Sequence, residues 1–199
     1  MINFALFSAL STFYFTMFVT PGPNNAMLTA SGMKFGFIRT LPHLIGIPLG
    51  HIIQISLVCF GLVNLFLIYP EIQFYMKILC FLYLLYLSWK MIGSFSLIKK
   101  ETGRPLKFYE ASFFQFINPK AWVVALTAAT AFFPTEESFI TGTLFIAVTA
   151  PFVCFPSICI WAAFGSSIKS IIKNTKIKKL IEYLLAVLLL VTAVIIVID

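Results

Sequence analysis

No charged side chain occurs in residues 1–33, yet this run cannot be one helix, because Pro21, Gly22 and Pro23 stand in its middle. Two prolines withhold backbone donors, and the glycine between them is free in geometry, so one helix ends before them and another begins after. A continuous helix of that length would extend about 50 Å, well beyond a hydrocarbon core of about 30 Å. The break therefore falls at membrane depth, where irregular backbone is tolerated only if protein buries it or a polar cavity adjoins it. Thr20-Pro21-Gly22-Pro23-Asn24-Asn25 is thus a candidate site and not a simple loop.

The rest of the chain is equally poor in polar surface. With 60% hydrophobic and 11% charged residues among 199, it is excluded from the ordinary soluble globules and has no room for a separate soluble domain. A single polytopic membrane domain, 1–199, is expected. Six spans fit, at about 2–20 continuing after the break to 33, then 40–69, 72–97, 110–134, 138–166 and 180–198. Basic residues cluster in alternate connections: Lys34 and Arg39; Lys99, Lys100, Arg104 and Lys107 with Glu101; and Lys169, Lys173, Lys176, Lys178 and Lys179. The opposite side holds Glu71, Glu136, Glu137 and Asp199, with Lys77 near it. The bias of basic loops toward the cytoplasm then puts both termini outside. It also accounts for the net charge of +7 without a nucleic-acid partner. The N-terminus lacks a basic n-region and is expected to be an uncleaved first helix. Cys59, Cys80, Cys154 and Cys159 have no ligand spacing and read as small apolar core residues, so no disulfide, metal or cofactor is expected.

Six spans divide into two sets of three, about 1–98 and 108–199, and an odd number forces the second set to cross in the opposite sense. This is an inverted repeat. The fourth span carries a matching interruption, Asn118-Pro119-Lys120-Ala121-Trp122. Pro21 stands 13 residues before Lys34, and Lys120 13 residues after Lys107, so both breaks lie about 20 Å from the same boundary if helical. The second and fifth spans each hold two prolines, Pro42 and Pro48, Pro151 and Pro156. Gly46 and Gly50 form a small-xxx-small pair suited to close helix packing. The expected architecture is all-α, six transmembrane helices in two inverted three-helix repeats, with the first and fourth helices broken.

Pro23 and Pro119 each suit the first position of a helix, which then presents free N–H groups and a positive dipole end at its break. A carboxylate is the natural ligand for such ends. Asn24, Asn25 and Asn118 both donate and accept, which suits a zwitterion, although the same side chains are good helix caps. The expected substrate-binding set is Pro21, Gly22, Pro23, Asn24, Asn25, Asn118, Pro119 and Lys120. Lys120 is the only charge between Glu110 and Glu136. A cation at that depth is costly unless it functions or snorkels, and just after Pro119 it meets the wrong end of a helix dipole. It is therefore expected to pair with a carboxylate and to carry a proton, with His51 as the second proton-coupling candidate. His43, Gln54, Asn64 and Gln115 read as hydrogen bonds between helices. There is no HExxH, GxSxG or paired aspartate, so an enzyme is not expected, and Glu71, Glu110 and Glu182 sit too near span ends to serve a cation pathway.

Thr20-Pro21-Gly22-Pro23-Asn24-Asn25, Gly36 followed by Arg39, the Gly46/Gly50 pair, Tyr83-Leu84-Leu85-Tyr86-Leu87-Ser88-Trp89 and Phe116-Ile117-Asn118-Pro119-Lys120-Ala121-Trp122 together resemble the LysE/RhtB family of amino-acid exporters, in the right order over most of the chain. The resemblance implies a bacterial inner-membrane secondary carrier that moves amino acids or close derivatives out of the cytoplasm, driven by a proton or ion gradient. Asn24-Asn25 with Gln115-Phe116-Ile117-Asn118 resembles the branch that exports neutral amino acids, including cysteine and O-acetylserine. The implied partners are the amino acid and the lipid bilayer; a homodimer is left open. A passive channel for small polar solutes is the alternative, and broken helices in both halves favour the carrier.

Overall fold

The structure is a computed structural model that describes residues 1–62, 68–69, 71–92, 103–171 and 175–198. Among them there are helices and connections but no strand. The first apolar run is two helices, α1 (Phe4–Val19) and α2 (Pro23–Phe35), meeting at 56°. Asn3 starts α1 by accepting a hydrogen bond from the Leu6 amide, and Pro23 starts α2 where its missing N–H costs nothing. Then come α3 (Phe37–Leu57) with a π-helical continuation (Val58–Leu62), α4 (Glu71–Met91), α5 (Phe108–Phe114), α6 (Pro119–Ala131), α7 (Phe139–Ile171) and α8 (Thr175–Ile198). Gly61, at φ 104°, takes a backbone conformation that other residues avoid, and α3 loses its regular course there.

Phe37–Gly61 and Phe139–Ile168 are long and apolar enough to cross a membrane, and the bent α1/α2 pair makes a third if it is one broken span and not a re-entrant loop. The surface agrees with that setting. Phe4, Phe60, Phe113 and Phe152 are exposed, whereas His43, His51, Gln54, Gln115 and Asn118 are buried. An apolar exterior around polar groups reverses the usual order of a water-soluble fold.

Helix bounds move by a few residues from those expected. The second stretch begins at Phe37, the third helix ends at Met91, the fifth runs on to Ile171 and the last begins at Thr175. Asn64, Lys99, Lys100, Glu101, Lys173 and Asp199 lie outside the described residues. Pro42, Pro48, Pro151 and Pro156 all sit inside continuous helices.

The main core joins α1, α3, α6 and α7 through residues such as Leu10, Tyr14, Leu44, Ile47, Ala125, Ile146 and Ile158. A second cluster ties α4 to α8 through Cys80, Leu84, Leu189 and Ala193. Gly46 and Gly50 bring α3 against α5: a Cβ on Gly46 would strike the Phe108 carbonyl, and one on Gly50 would stand 2.6 Å from the Ser112 oxygen. That contact sets the height of the second break against α3. At one end of the molecule the N-terminal ammonium meets Glu136 at 3.1 Å and the Ile2 amide donates to Glu137 at 3.1 Å. A Cβ on Gly103 would lie 3.7 Å from the Lys34 Nζ, so the first two basic connections also share an end.

Candidate functional site

The break between α1 and α2 leaves the last carbonyls of α1 without helical partners, and three side chains from three helices supply them. The Asn25 amide nitrogen donates to the carbonyls of Phe18 at 2.8 Å and Thr20 at 2.7 Å. The Trp161 indole of α7 donates to Val19 at 3.1 Å. The Lys120 ammonium, from the first turn of α6, donates to the Thr20 carbonyl at 2.9 Å, the Thr20 hydroxyl at 2.8 Å and the Pro21 carbonyl at 3.1 Å. Gly22 allows this reach, since a Cβ there would lie 3.0 Å from the Lys120 Cδ. The lysine charge therefore meets the negative end of α1's dipole, which corrects the expectation of a cation at the wrong helix end: its backbone begins α6 but its nitrogen crosses to α1.

The start of α2 is different. No side chain caps it, and its first backbone bond is from the Ala26 amide to the Gly22 carbonyl, so the amides of Asn24 and Asn25 stand at the positive end of the helix. The side chain of Asn24 turns to the second break, where it exchanges two hydrogen bonds with Gln115, at 2.8 and 3.2 Å. Gln115 is fully buried and is held from behind by its bond to the Ala111 carbonyl at 2.8 Å. Gln54 of α3 donates to the Gln115 carbonyl at 3.1 Å. Here the expectation of hydrogen bonds between helices is met for Gln54 and Gln115. At the start of α6, Asn118 accepts from the Lys120 amide at 3.1 Å and so serves as the cap.

A narrow, open cleft is bounded by Met17, Phe18, Gly22, Asn25, Asn118 and Lys120, among others. Pro23, Asn24, His51, Ala121, Val124 and Ile158 complete the wall. Of the eight expected site residues, six line it; Pro21 contributes a carbonyl to Lys120 from behind, and Pro119 only starts α6. His51 reaches the cleft with its ring edge-on to Phe18 at 4.9 Å, and its Nδ1 is buried without a partner. His43 is buried away from the cleft with both ring nitrogens unpartnered. Among the described residues no group of His, Cys, Asp and Glu could hold a metal. Thr20 lay in the candidate stretch but not in the expected substrate-binding set, and Trp161 was in neither. A threonine directly before the first proline is a readable signal for the former, whereas nothing local marks a tryptophan 142 residues beyond the carbonyl it caps.

Chemically the cleft offers a bare helix start for an anion, an ammonium, amide groups and an apolar wall. Among the described residues no carboxylate lines it.

The pattern defining the LysE type translocators matches residues 15–199. Named relatives include the cysteine/O-acetylserine efflux protein of Salmonella paratyphi A, 27% identical over 162 residues, 80% of this chain and 82% of the relative. The protein of the same name in Escherichia coli K12 is 28% identical over 165 residues, with 80% and 82% covered. No solved structure matches the chain. Since the match takes in both helix breaks and extends through the last helix, the chain belongs to the LysE type translocator family.

Proposed function

We propose that the chain is a secondary-active exporter that moves a neutral amino acid or close derivative, of the cysteine and O-acetylserine kind, out of the bacterial cytoplasm across the inner membrane. The observation that carries this is the cleft in which the uncapped start of α2 stands beside the Lys120 ammonium, two independent attractions for a carboxylate. The apolar wall of Met17, Phe18, Val124 and Ile158 suits a short uncharged side chain, and no acidic lining residue favours a cationic one. The names of the efflux relatives point the same way.

In this proposal the chain crosses six times as two inverted repeats. The equal 13-residue helices that follow the two breaks, each led by a proline, support it, although α1 at 16 residues is longer than α5 at 7. Both termini face the periplasm. A single cysteine near Glu136 in a cysteine-free background should react with an impermeant thiol reagent from outside, and reaction only from inside would reverse the topology. Coupling is to the proton gradient, with Lys120 and His51 the groups that carry the proton. Counterflow of radiolabelled O-acetyl-L-serine in proteoliposomes tests the transport mode: a carrier gives trans-acceleration and a passive pore gives none.

A further inference from the structure

We propose that the oxygens of Thr20 and Pro21 at the end of α1 are the binding site for the α-ammonium group of the substrate, and that Lys120 occupies it when the carrier is empty. An ammonium has three N–H donors, and the one present in the structure meets three oxygens at 2.8, 2.9 and 3.1 Å. These oxygens sit at the end of a 16-residue helix whose dipole favours a cation. The geometry therefore already fits an –NH₃⁺ group.

An amino acid entering the cleft brings a second ammonium that needs acceptors of the same kind, and beside the single unpartnered His51 Nδ1 the lining has few to offer. Asn24 is engaged in its two-way bond with Gln115, the Asn25 nitrogen is a donor spent on α1, and the Asn118 oxygen accepts from the Lys120 amide. Among the described residues no carboxylate lines the cleft. The end of α1 is thus the strongest place for a cation, and a side chain of the protein fills it. Lysine is a compact charge on a flexible stem, so it can leave when a substrate ammonium arrives and turn to the substrate carboxylate at the start of α2. The exchange leaves neither charge unpaired, which a buried cation requires. It also has a mechanical consequence: Lys120 ties α6 to α1 in the empty carrier, and the substrate releases that tie.

This assignment rests on the exporter proposal only for the identity of the ligand, and the test separates the two. Thermal stability of the full-length Lys120→Ala and Lys120→Met proteins is measured with methylammonium chloride, against tetramethylammonium chloride, which has no N–H donor. Methylammonium should raise the melting temperature of both variants and leave wild type unmoved, because the wild-type site is filled. Equal effects of the two salts, or an equal methylammonium shift in wild type, would overturn the assignment even if transport is found. Should wild type bind no O-acetyl-L-serine while methylammonium still acts on the variants, the substrate proposal fails and the ammonium site stands. Thr20→Val provides a second arm that does not depend on the lysine variants folding. It removes one of the three oxygens from Lys120 in the empty carrier and from the substrate ammonium in the loaded one, so O-acetyl-L-serine affinity should hold, while the des-amino analogue 3-acetoxypropionate, which draws Lys120 off without refilling the site, should bind up to about tenfold tighter. An unchanged ratio of the two affinities would sink the proposal.

Discussion

The two helix breaks begin from similar sequence and end in different chemistry. Each is followed by a 13-residue helix with proline at its first position. The second break closes on itself: the amides of Gln115, Phe116, Ile117 and Asn118 bond back to the carbonyls of Ser112, Phe113 and Phe114 at 3.0 to 3.2 Å, and Asn118 then caps α6. The first break has no such turn. Its carbonyls depend on Asn25, Trp161 and Lys120, and the helix that follows is bare. A break satisfied locally is a fixed structural element, whereas one satisfied by distant donors has partners that a ligand can replace. On the proposed function, that difference assigns recognition to the first break and leaves the second to aim Lys120 and Gln115 at it.

If that division holds, the largest effect belongs to the residue that joins the two breaks through charge. Lys120→Ala should abolish export with the protein still in the membrane. Lys120→Arg keeps the charge but cannot give up its proton, so it should bind substrate and lose the pH dependence of export. Initial rates in proteoliposomes across a pH series check both; native rates and profile in Lys120→Ala would assign the lysine a structural role and move proton coupling to His51.

Asn24→Ala comes next, because it removes the amide pair between the breaks while Gln115 keeps its bond to Ala111. Export per folded protein should fall about tenfold, the worth of a hydrogen bond in a desolvated site, and loss of the donor to the buried Gln115 oxygen should also cost about 1–3 kcal/mol of stability. Asn25→Ala should show the second effect without the first. Its amide supports the buried Phe18 carbonyl, so the variant should lose about 1–3 kcal/mol of stability, and export should fall only as far as the folded population does. Thermal unfolding in detergent and rates normalised to folded protein separate the two. Matching profiles for Asn24→Ala and Asn25→Ala would remove the distinction between a ligand-side amide and a cap.

Both breaks were legible in the sequence because a proline acts on its own backbone: Pro21 with Pro23, and Pro119, lack the donors that would carry a helix through. Proline alone was not decisive. Pro151 and Pro156 lie inside one uninterrupted helix, four residues intervening between them, whereas Gly22 alone separates Pro21 from Pro23. The cleft lining was readable as far as the motifs reached, at Gly22, Pro23, Asn24, Asn25, Asn118 and Lys120. What those residues bond to was not. The Lys120 nitrogen finds Thr20 across 100 residues of sequence, and Trp161 finds Val19 across 142, contacts set by how α6 and α7 pack and not by local pattern. The same gap made the lysine charge look misplaced, since a sequence gives the residue's position on its own helix but not the helix end its nitrogen reaches.

The smallest effect is expected at Asn118, and it tests the comparison most sharply. Its oxygen caps α6, its residue is buried to 2% exposure, and it also borders the cleft. Serine caps a helix about as well as asparagine, so Asn118→Ser should change stability by only a few tenths of a kcal/mol, whereas Asn118→Ala should cost about 1 kcal/mol. Serine lacks the amide nitrogen that a substrate carboxylate would use. If the second break is purely structural, export by Asn118→Ser stays at the wild-type rate after normalisation to folded protein. A fall of about tenfold at unchanged stability would mean that the Asn118 amide reaches the substrate. The two breaks would then share recognition, and the uncapped start of α2 would no longer distinguish the first from the second.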